Sequence, residues 1–539
     1  MTPRTSLKPR MKNSRWQLSS LLAVIFGASF LSAVPAPDTT SRPLNVLFIS
    51  IDDLRCEVGA YQGGRALTPN IDRLAAVGVK FDRAYAQYPL CNASRASTLF
   101  GRYPRTSELY GNRDWMNAWY PDWVSLPHYF RQQGYFTLRS GKIFHGDRID
   151  DAAAWTVGGV AHEYNDPKPA SIVADRPITR KEEAARLAKM RASDVERAAG
   201  SDYWQAVEDP AERALLEDTR STDRAIEFLQ QRKPEAPPFF LGLGLFRPHS
   251  PLVAPKEFFE LYDLEDIELS VDFAIRPKVP EGFPAAAIRA INADLFIERD
   301  AQADEARAMV RAYLACASYA DWNVGRVLEV LEEEGLLDST LIVLWSDHGY
   351  QLGEKGKWSK AGSLWEQGVR VPMIIHHPDA AGNGRTSPRV VELLDLYPTL
   401  VDLCGLPMPE GIEGQSLRPL LANPTADWAE PAFSVWSERD RGISGAVVRT
   451  EQWRFAKFYG PGAGIFLTDP LNDPDELINL AHDSAYADVV AHLSTLLDDH
   501  VAVGLNRHQI RSGLFPAGNE PPAAGAMLLK NQFLEVRSN

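Results

Sequence analysis

The chain has 539 residues, 45% of them hydrophobic and 24% charged, and its 57 Lys and Arg against 71 Asp and Glu give a formal net charge of −14. That length and apolar fraction support a sizeable core, in one large α/β domain with an appendage or in more than one domain, and argue against a disordered or repeat-built chain. So acidic a surface repels polyanions, which argues against nucleic acid as a partner unless a local basic pocket overrides it.

In chain order, Arg4, Lys8, Arg10, Lys12 and Arg15 precede an apolar run from Leu21 to Leu31 and small residues through Ala36. That is the layout of a secretory signal over residues 1–36, with a start at Met11 giving a more usual length and cleavage expected after Ala33 or Ala36. The run is shorter than the roughly 20 residues a membrane span needs. A periplasmic or secreted protein without stable membrane association is therefore expected, a retained anchor being the alternative. Removal of the leader takes away five positive and no negative side chains, leaving a mature charge of about −19.

The run LNVLFISID, Leu44 to Asp52, is apolar and β-branched and ends abruptly in carboxylates. It reads as a buried parallel strand that delivers Asp52 and Asp53 from its carboxyl end. YPLCNASRASTLFGRYP, Tyr88 to Pro104, then sets Cys91 three residues ahead of Ser94 and Arg95, and SGKIFHGD carries Lys142 and His145. Asp150 to Asp209, acidic and alanine-rich, reads as an insertion or surface helices without chemistry. A second strand unit follows: amphipathic RAIEFLQQRK, a Pro-rich loop, PFFLGLGLF, then RPHSP with Arg247 and His249. In a third, Val324, Val327, Leu328 and Leu331 recur at helical spacing before Gly335, and the strand LIVLWS runs into Asp347 and His348. In open α/β sheets ligands bind beyond the carboxyl ends of the strands, so the loops after these three strands are expected to share one site.

From Val369, VRVPMIIHHP and VVELLDLYPTLVDLCG predict further sheet and a packing helix, after which the chain turns Pro- and Gly-rich. Beyond about Trp428, short aromatic strands, a turn-rich stretch and one helix from about Ala485 predict a smaller α+β subdomain over 429–539, appended to a catalytic domain over 43–428. The four cysteines, Cys56, Cys91, Cys316 and Cys404, have no paired spacing of a metal knuckle or disulfide framework.

Each motif alone has an ordinary reading. Paired aspartates after a strand cap a turn as readily as they bind a metal, Lys142 and His145 fit a solvated loop, and His249 could simply satisfy a backbone carbonyl. Arg247 suits a substrate carboxylate through its planar guanidinium or is a surface arginine. Their joint occurrence after successive strands singles them out.

Taken together, Cys91-Asn92-Ala93-Ser94-Arg95 with the trailing ASTLFGRYP resembles the type I sulfatase signature, C-x-P-S-R followed by T-G-R. DDLR, GKIFH, RPHSP, SDHGYQLGEKGKWSK and RVP occur in the order of that family and are most similar to its iduronate-2-sulfatase branch. The resemblance implies an α/β, alkaline-phosphatase-like sandwich, with a large mixed sheet flanked by helices and a smaller C-terminal α+β subdomain. It implies that Cys91 is oxidised to formylglycine by a formylglycine-generating or anaerobic maturase. One hydroxyl of the hydrated aldehyde then attacks sulfur, and the other expels sulfate as the aldehyde reforms. It also implies one divalent cation, calcium, held by Asp52, Asp53, Cys91, Asp347 and His348; Lys142 and Lys360 as sulfate clamps; Arg95 steadying the modified residue; His145 as base; and His249 as donor to the leaving sugar oxygen. An imidazole in the ligand set suits softer ions as well.

The function so implied is removal of sulfate from a sulfated saccharide, a 2-O-sulfated uronic acid. The alternatives are a phosphonate or phosphodiester hydrolase on the same scaffold and an inactive relative that binds sulfated glycans. Two departures stand out. Ala93 replaces the signature proline, and the tail beyond Pro470 drifts from the branch pattern.

Overall fold

The computed structural model describes residues 43–112, 114, 116–145, 151–157, 203–438 and 442–513. The leader expected over 1–36 and most of 150–209 lie outside the described residues.

Seven strands form one sheet: β1 Asn45–Ile51, β2 Val79–Tyr85, β3 Phe136–Gly141, β5 Phe239–Leu245, β7 Thr340–Ser346, β8 Arg370–His376 and β9 Thr386–Glu392, in the order β3-β5-β1-β7-β8-β2-β9. β1 lies parallel between β5 and β7, and β3 is parallel to β5. Every residue of β1, β5 and β7 is buried, as strands covered on both faces require, which is why they read as unbroken apolar runs. β8 runs antiparallel to both β7 and β2, and β2 is parallel to β9, so the sheet is mixed. The carboxyl ends of β1, β2, β3, β5 and β7 consequently meet at one edge.

Alternation along β1 divides the core between the two faces. Leu47, Ile49 and Ile51 join one apolar cluster with α1 (Pro69–Val77), α4 (Glu217–Gln230) and α5 (Ala303–Glu333), while Val46 and Phe48 join another. The second cluster includes residues of α2 (Cys91–Phe100), α3 (Leu126–Gln132), α6 (Leu396–Leu403) and α7 (Ala487–Gly513). The helical spacing around Val324 marks only the last turns of α5, which spans 31 residues. Its middle, residues 312–321, is buried all round and lacks a polar face to set a period.

The expectation of insertion or surface helices up to Asp209 fails at its carboxyl end. Trp204–Val207 is a strand, β4, paired in parallel with β6 (Leu252–Pro255), and Tyr203 before it is fully buried. Among the described residues no helix is long and apolar enough to cross a membrane, and all four cysteines are free thiols.

The C-terminal region builds an antiparallel sheet in the order β10 (Ala432–Ser437), β11 (Ile443–Arg449), β12 (Arg454–Phe458), β13 (Gly464–Thr468). Val435 and Phe455 belong to the same apolar cluster as Leu99 and Leu396, so this sheet shares a core with the large one. Its contact with the large sheet is also polar. Val435 N donates to Gln87 O (3.0 Å), and Phe433 N donates to the Glu392 carboxylate (2.8 Å), which also accepts from Gln87 Nε2 (3.3 Å).

Glu392 and Asp395 are buried side by side at this junction. Burial, then the neighbouring Asp395, pushes the Glu392 carboxyl up to about 8, and burial pushes Asp395 up to about 7. Both folded values lie above the unfolded ones, so the native state holds the extra protons, and the stability they contribute is complete at acid pH and lost as pH rises through 7 to 8. Glu392→Gln removes one titration. Its melting temperature should therefore decline less between pH 5 and pH 8 than that of the wild type, by several degrees or roughly 1 kcal/mol or more. Parallel declines in a thermal melt series would show that the pair is not titrating.

Candidate active site

β1 ends at Asp52 and Asp53, and β7 ends at Asp347 and His348; all four side chains are fully buried. Asp53 takes a left-handed backbone conformation (φ 61°), which aspartate tolerates better than most residues. The turn is tied down because Tyr313 Oη donates to Asp53 O (2.6 Å) and Asp53 N donates to an Asp347 carboxylate oxygen (3.3 Å). After β2 the chain crosses this edge and enters α2, whose first residue is Cys91 and whose ten residues are all buried. The thiol therefore sits at a helix amino terminus, where free backbone N–H groups favour an anion. Gly101, at φ 61°, closes the helix in the left-handed conformation that glycine adopts without strain.

Each aspartate has a cationic partner from a different element. Lys142, just past β3, pairs with Asp52; Lys360 Nζ is 2.8 Å from Asp53 Oδ2; and Arg95 Nε of α2 is 2.9 Å from Asp347 Oδ2. Arg95 Nη1 also donates to Ser50 Oγ (3.1 Å), Lys142 O (2.7 Å) and Ile143 O (2.9 Å), so one guanidinium ties α2 to the loop that carries Lys142. Ser94 Oγ donates to Asp347 O.

His348 Nδ1 lies 2.9 Å from Gly349 O, which assigns the proton to Nδ1 and leaves a lone pair on Nε2. That Nε2 is 3.2 Å from Cys91 Sγ and 3.5 Å from oxygens of both Asp53 and Asp347. Asp52 Oδ1 and Asp53 Oδ1 are buried without a hydrogen-bond donor. Ligand atoms of Asp52, Cys91, Asp347 and His348 lie within 4.8 Å of one another. Lone pairs converging on one point, two of them on orphaned carboxylate oxygens, are a donor set that fits a divalent cation.

The cations dominate the local field. Burial works to raise Asp52, yet Lys142, Arg95 and Lys360 together hold it well below the usual carboxylate range. Burial, then Asp52, pushes the Cys91 thiol well up, so it stays protonated and is a poor nucleophile as a thiol. Burial and Lys142 press His145 down to about 2; burial and Lys360 press His249 down to about 3. Both rings are neutral, and His249 Nδ1 is engaged by Ser250 O at 2.7 Å. A ring nitrogen of His249 also comes within 4.8 Å of Cys91 Sγ and an Asp53 oxygen.

The structure thus brings together Asp52, Asp53, Cys91, Arg95, Lys142, His145, His249, Asp347, His348 and Lys360. Arg247 stands apart from them in what it touches. Its Nε donates to Val253 O (3.2 Å) and its Nη1 to His249 O (3.1 Å), while its backbone N donates to Asp218 (2.9 Å). Two of its donors are spent bracing the loop of His249. Sequence reasoning missed Tyr313, which holds the Asp53 turn, and Asp294, whose carboxylate lies 3.3 Å from Lys360. Neither belongs to a motif, and Asp294 lies outside any helix or strand.

A family model described as Sulfatase matches residues 44–406, and one described as N-sulphoglucosamine sulphohydrolase, C-terminal, matches residues 353–502. Iduronate 2-sulfatase of Homo sapiens is 35% identical over 410 residues, covering 69% of this chain and 71% of that one. A solved structure of a protein in complex with its substrate D-glucosamine-2-N,6-O-disulfate superposes with a TM-score of 0.66 at 23% identity, over 86% of this chain and 99% of that chain. The phosphonate monoester hydrolase of Agrobacterium radiobacter superposes with a TM-score of 0.65 at 21% identity, over 87% and 96%. The fold is thus the alkaline-phosphatase-like sandwich expected, with its large mixed sheet and small C-terminal sheet.

Arg95 is the counter-ion of two buried carboxylates. Arg95→Ala strands the charge of Asp347 and leaves Asp52 with Lys142 alone, so it should cost about 3–5 kcal/mol in denaturant unfolding. A loss below about 1 kcal/mol would remove Arg95 from that role.

Proposed function

From a chain that belongs to the sulfatase family, and is therefore a hydrolase of sulfuric esters, we propose an exported enzyme that takes sulfate from a sulfated sugar, a 2-O-sulfated uronic acid. The observation that carries this reading is the place of Cys91. It heads a buried helix, with His348 Nε2 3.2 Å away, among three aspartates and the cations Lys142, Lys360 and Arg95. The uronic acid comes from the similarity to iduronate 2-sulfatase and is the finer part of the proposal.

A sulfate monoester brings one negative charge. Lys142 and Lys360 hold it, with the amino terminus of α2 adding its own attraction. Arg95 stays locked in its bonds to Asp347 and the Lys142 loop, and fixes the residue at position 91. Cys91, matured to formylglycine, supplies through its hydrate a hydroxyl nucleophile in place of a thiol that burial keeps protonated. A divalent cation, calcium in this reading, held by Asp52, Asp53, Asp347 and His348, would acidify that hydroxyl and offset the charge on sulfur. His145, held neutral, is ready to accept a proton. His249 is also neutral in the folded protein, so its service as donor requires a proton taken up with the anionic substrate; Lys360 is the group at this wall that already carries one. Arg247 contributes by bracing the His249 loop, with its Nε and one Nη1 donor on main-chain carbonyls.

Maturation must read Ala93 in place of the signature proline, through a formylglycine-generating or anaerobic maturase. Ala93 is buried within α2 in the folded chain, so the maturase has to act before folding is complete.

Mass spectrometry of the peptide spanning Cys91, from protein made with its maturase, should find the aldehyde, and Cys91→Ala should lower sulfate release by at least 1000-fold with an unchanged melting curve. Release by the alanine variant near the wild-type rate would overturn the assignment. Faster turnover of an aryl phosphonate monoester than of an aryl sulfate would favour the phosphonate reading.

A further inference from the structure

Lys360 has two carboxylates beside it, and they differ in setting. Asp53 belongs to the floor of the site and is fully buried, whereas the Asp294 side chain is 14% exposed at the solvent side of the same ammonium, 3.3 Å from it. Asp294 Oδ1 faces Lys360, and Asp294 Oδ2 is buried without a hydrogen-bond partner. A carboxylate oxygen in that state is acceptor-only and carries an unmet desolvation cost.

The segment that carries Asp294 is fixed in place although it has no regular structure. Trp358 N donates to Asn292 Oδ1 (2.9 Å), Leu295 N donates to Trp358 O (3.3 Å), and Lys357 Nζ donates to Ile291 O (2.7 Å). Three bonds therefore clamp residues 291–295 onto the strip Lys357–Lys360, and Asp294 is held at a set distance from the sulfate-clamping lysine. Its charge is felt at His249, Lys357 and Lys360 alike.

The group that completes Asp294 Oδ2 has to bring a donor. Lys357 and Lys360 beside it repel an ammonium, and Asp294 itself repels a second sulfate or carboxylate, which leaves a neutral hydroxyl. We infer that Asp294 is a specificity-determining residue that accepts a hydrogen bond from the sugar hydroxyl next to the sulfate ester and rejects substrates bearing a second anion there. This inference rests on the sulfated uronic acid reading, for which the neighbouring hydroxyl is the one at C3.

The test is calorimetric binding of a methyl uronoside 2-sulfate and its 3-deoxy counterpart to Cys91→Ala protein, alone and with Asp294→Ala or the isosteric Asp294→Asn added, each checked by a thermal melt. The parent should bind the hydroxyl-bearing sugar roughly tenfold or more tightly, the gain expected of a hydrogen bond to a charged acceptor. Asp294→Ala should bring the ratio to within about threefold of one, with Asp294→Asn in between. A ratio near one in the parent would overturn the inference. So would a ratio that survives Asp294→Ala while both affinities fall together, because Asp294 would then act only by anchoring Lys360. Binding of neither sugar by the folded parent would overturn the uronic acid reading itself, and this inference with it.

Discussion

Three carboxylates without solvent at the ends of two adjacent strands are the condition to which the rest of the molecule answers. A single unpaired charge in such a place costs several kcal/mol, and Asp52, Asp53 and Asp347 are all fully buried. Their cations come from three separate parts of the chain: Lys142 after β3, Arg95 on α2, and Lys360 on the loop after β7. None of these pairs is local in sequence, so the site exists only when the sheet has its order and the helix and loops have closed over its edge. The pairing still leaves Asp52 Oδ1 and Asp53 Oδ1 unmet. The three pairs balance in charge, so what the fold leaves unmet is the lone pairs of those two oxygens, which a divalent cation would complete.

The C-terminal sheet makes sense within the same constraint. Cys91 is reached through the loop Ala86–Leu90, which has no partner strand in the large sheet. β10 supplies the missing bonds, with Val435 N on Gln87 O and Ser434 Oγ on Ala86 O (2.5 Å), and Trp436 packs its ring 5.2 Å from that of Tyr88. The appended region is therefore backing for the segment that leads into Cys91. It shares one apolar cluster with α2, and Val447, Ala456 and Phe466 build a second one with Phe283, Leu364 and Trp365.

How much of this was legible in the sequence depends on whether a residue's neighbours are near it along the chain. β1, β5 and β7 announced themselves because burial on both faces demands unbroken apolar runs, and the polar groups following those runs mark the working edge of the sheet. β4 escaped because four residues against β6 carry too short a pattern to stand out from an alanine-rich stretch. The mixed direction of the sheet was open as well, since the run from Arg370 to His376 reads the same in either orientation. The core of the site was legible as a set of motifs, and the structure adds how its members pair: Arg95 with Asp347, Lys142 with Asp52. Arg247 shows the limit from the other side. Its guanidinium suits a carboxylate by type, but two of its donors also hold carbonyls two and six residues on, and only the folded loop reveals that. Asp294 had no signal, because its significance lies in a contact with Lys360 across 66 residues of chain.

The balance of charge also bears on proton transfer. Burial first, and then the like charges of Lys142 and Lys360, keep protons off His145 and His249, since a like charge disfavours the imidazolium as surely as an opposite one favours it. A bound monoanion cancels part of the lysines' field at short range, in a cavity where screening by water is weak. Proton affinity at His249 would thus rise with an anion held beside the two lysines. Such coupling needs the histidine to be buried beside the clamps and fixed in orientation, and the bonds from Arg247 to the His249 loop, with His249 Nδ1 on Ser250 O, hold it so. Arg247 acts here on the geometry of His249, through main-chain carbonyls that no motif records.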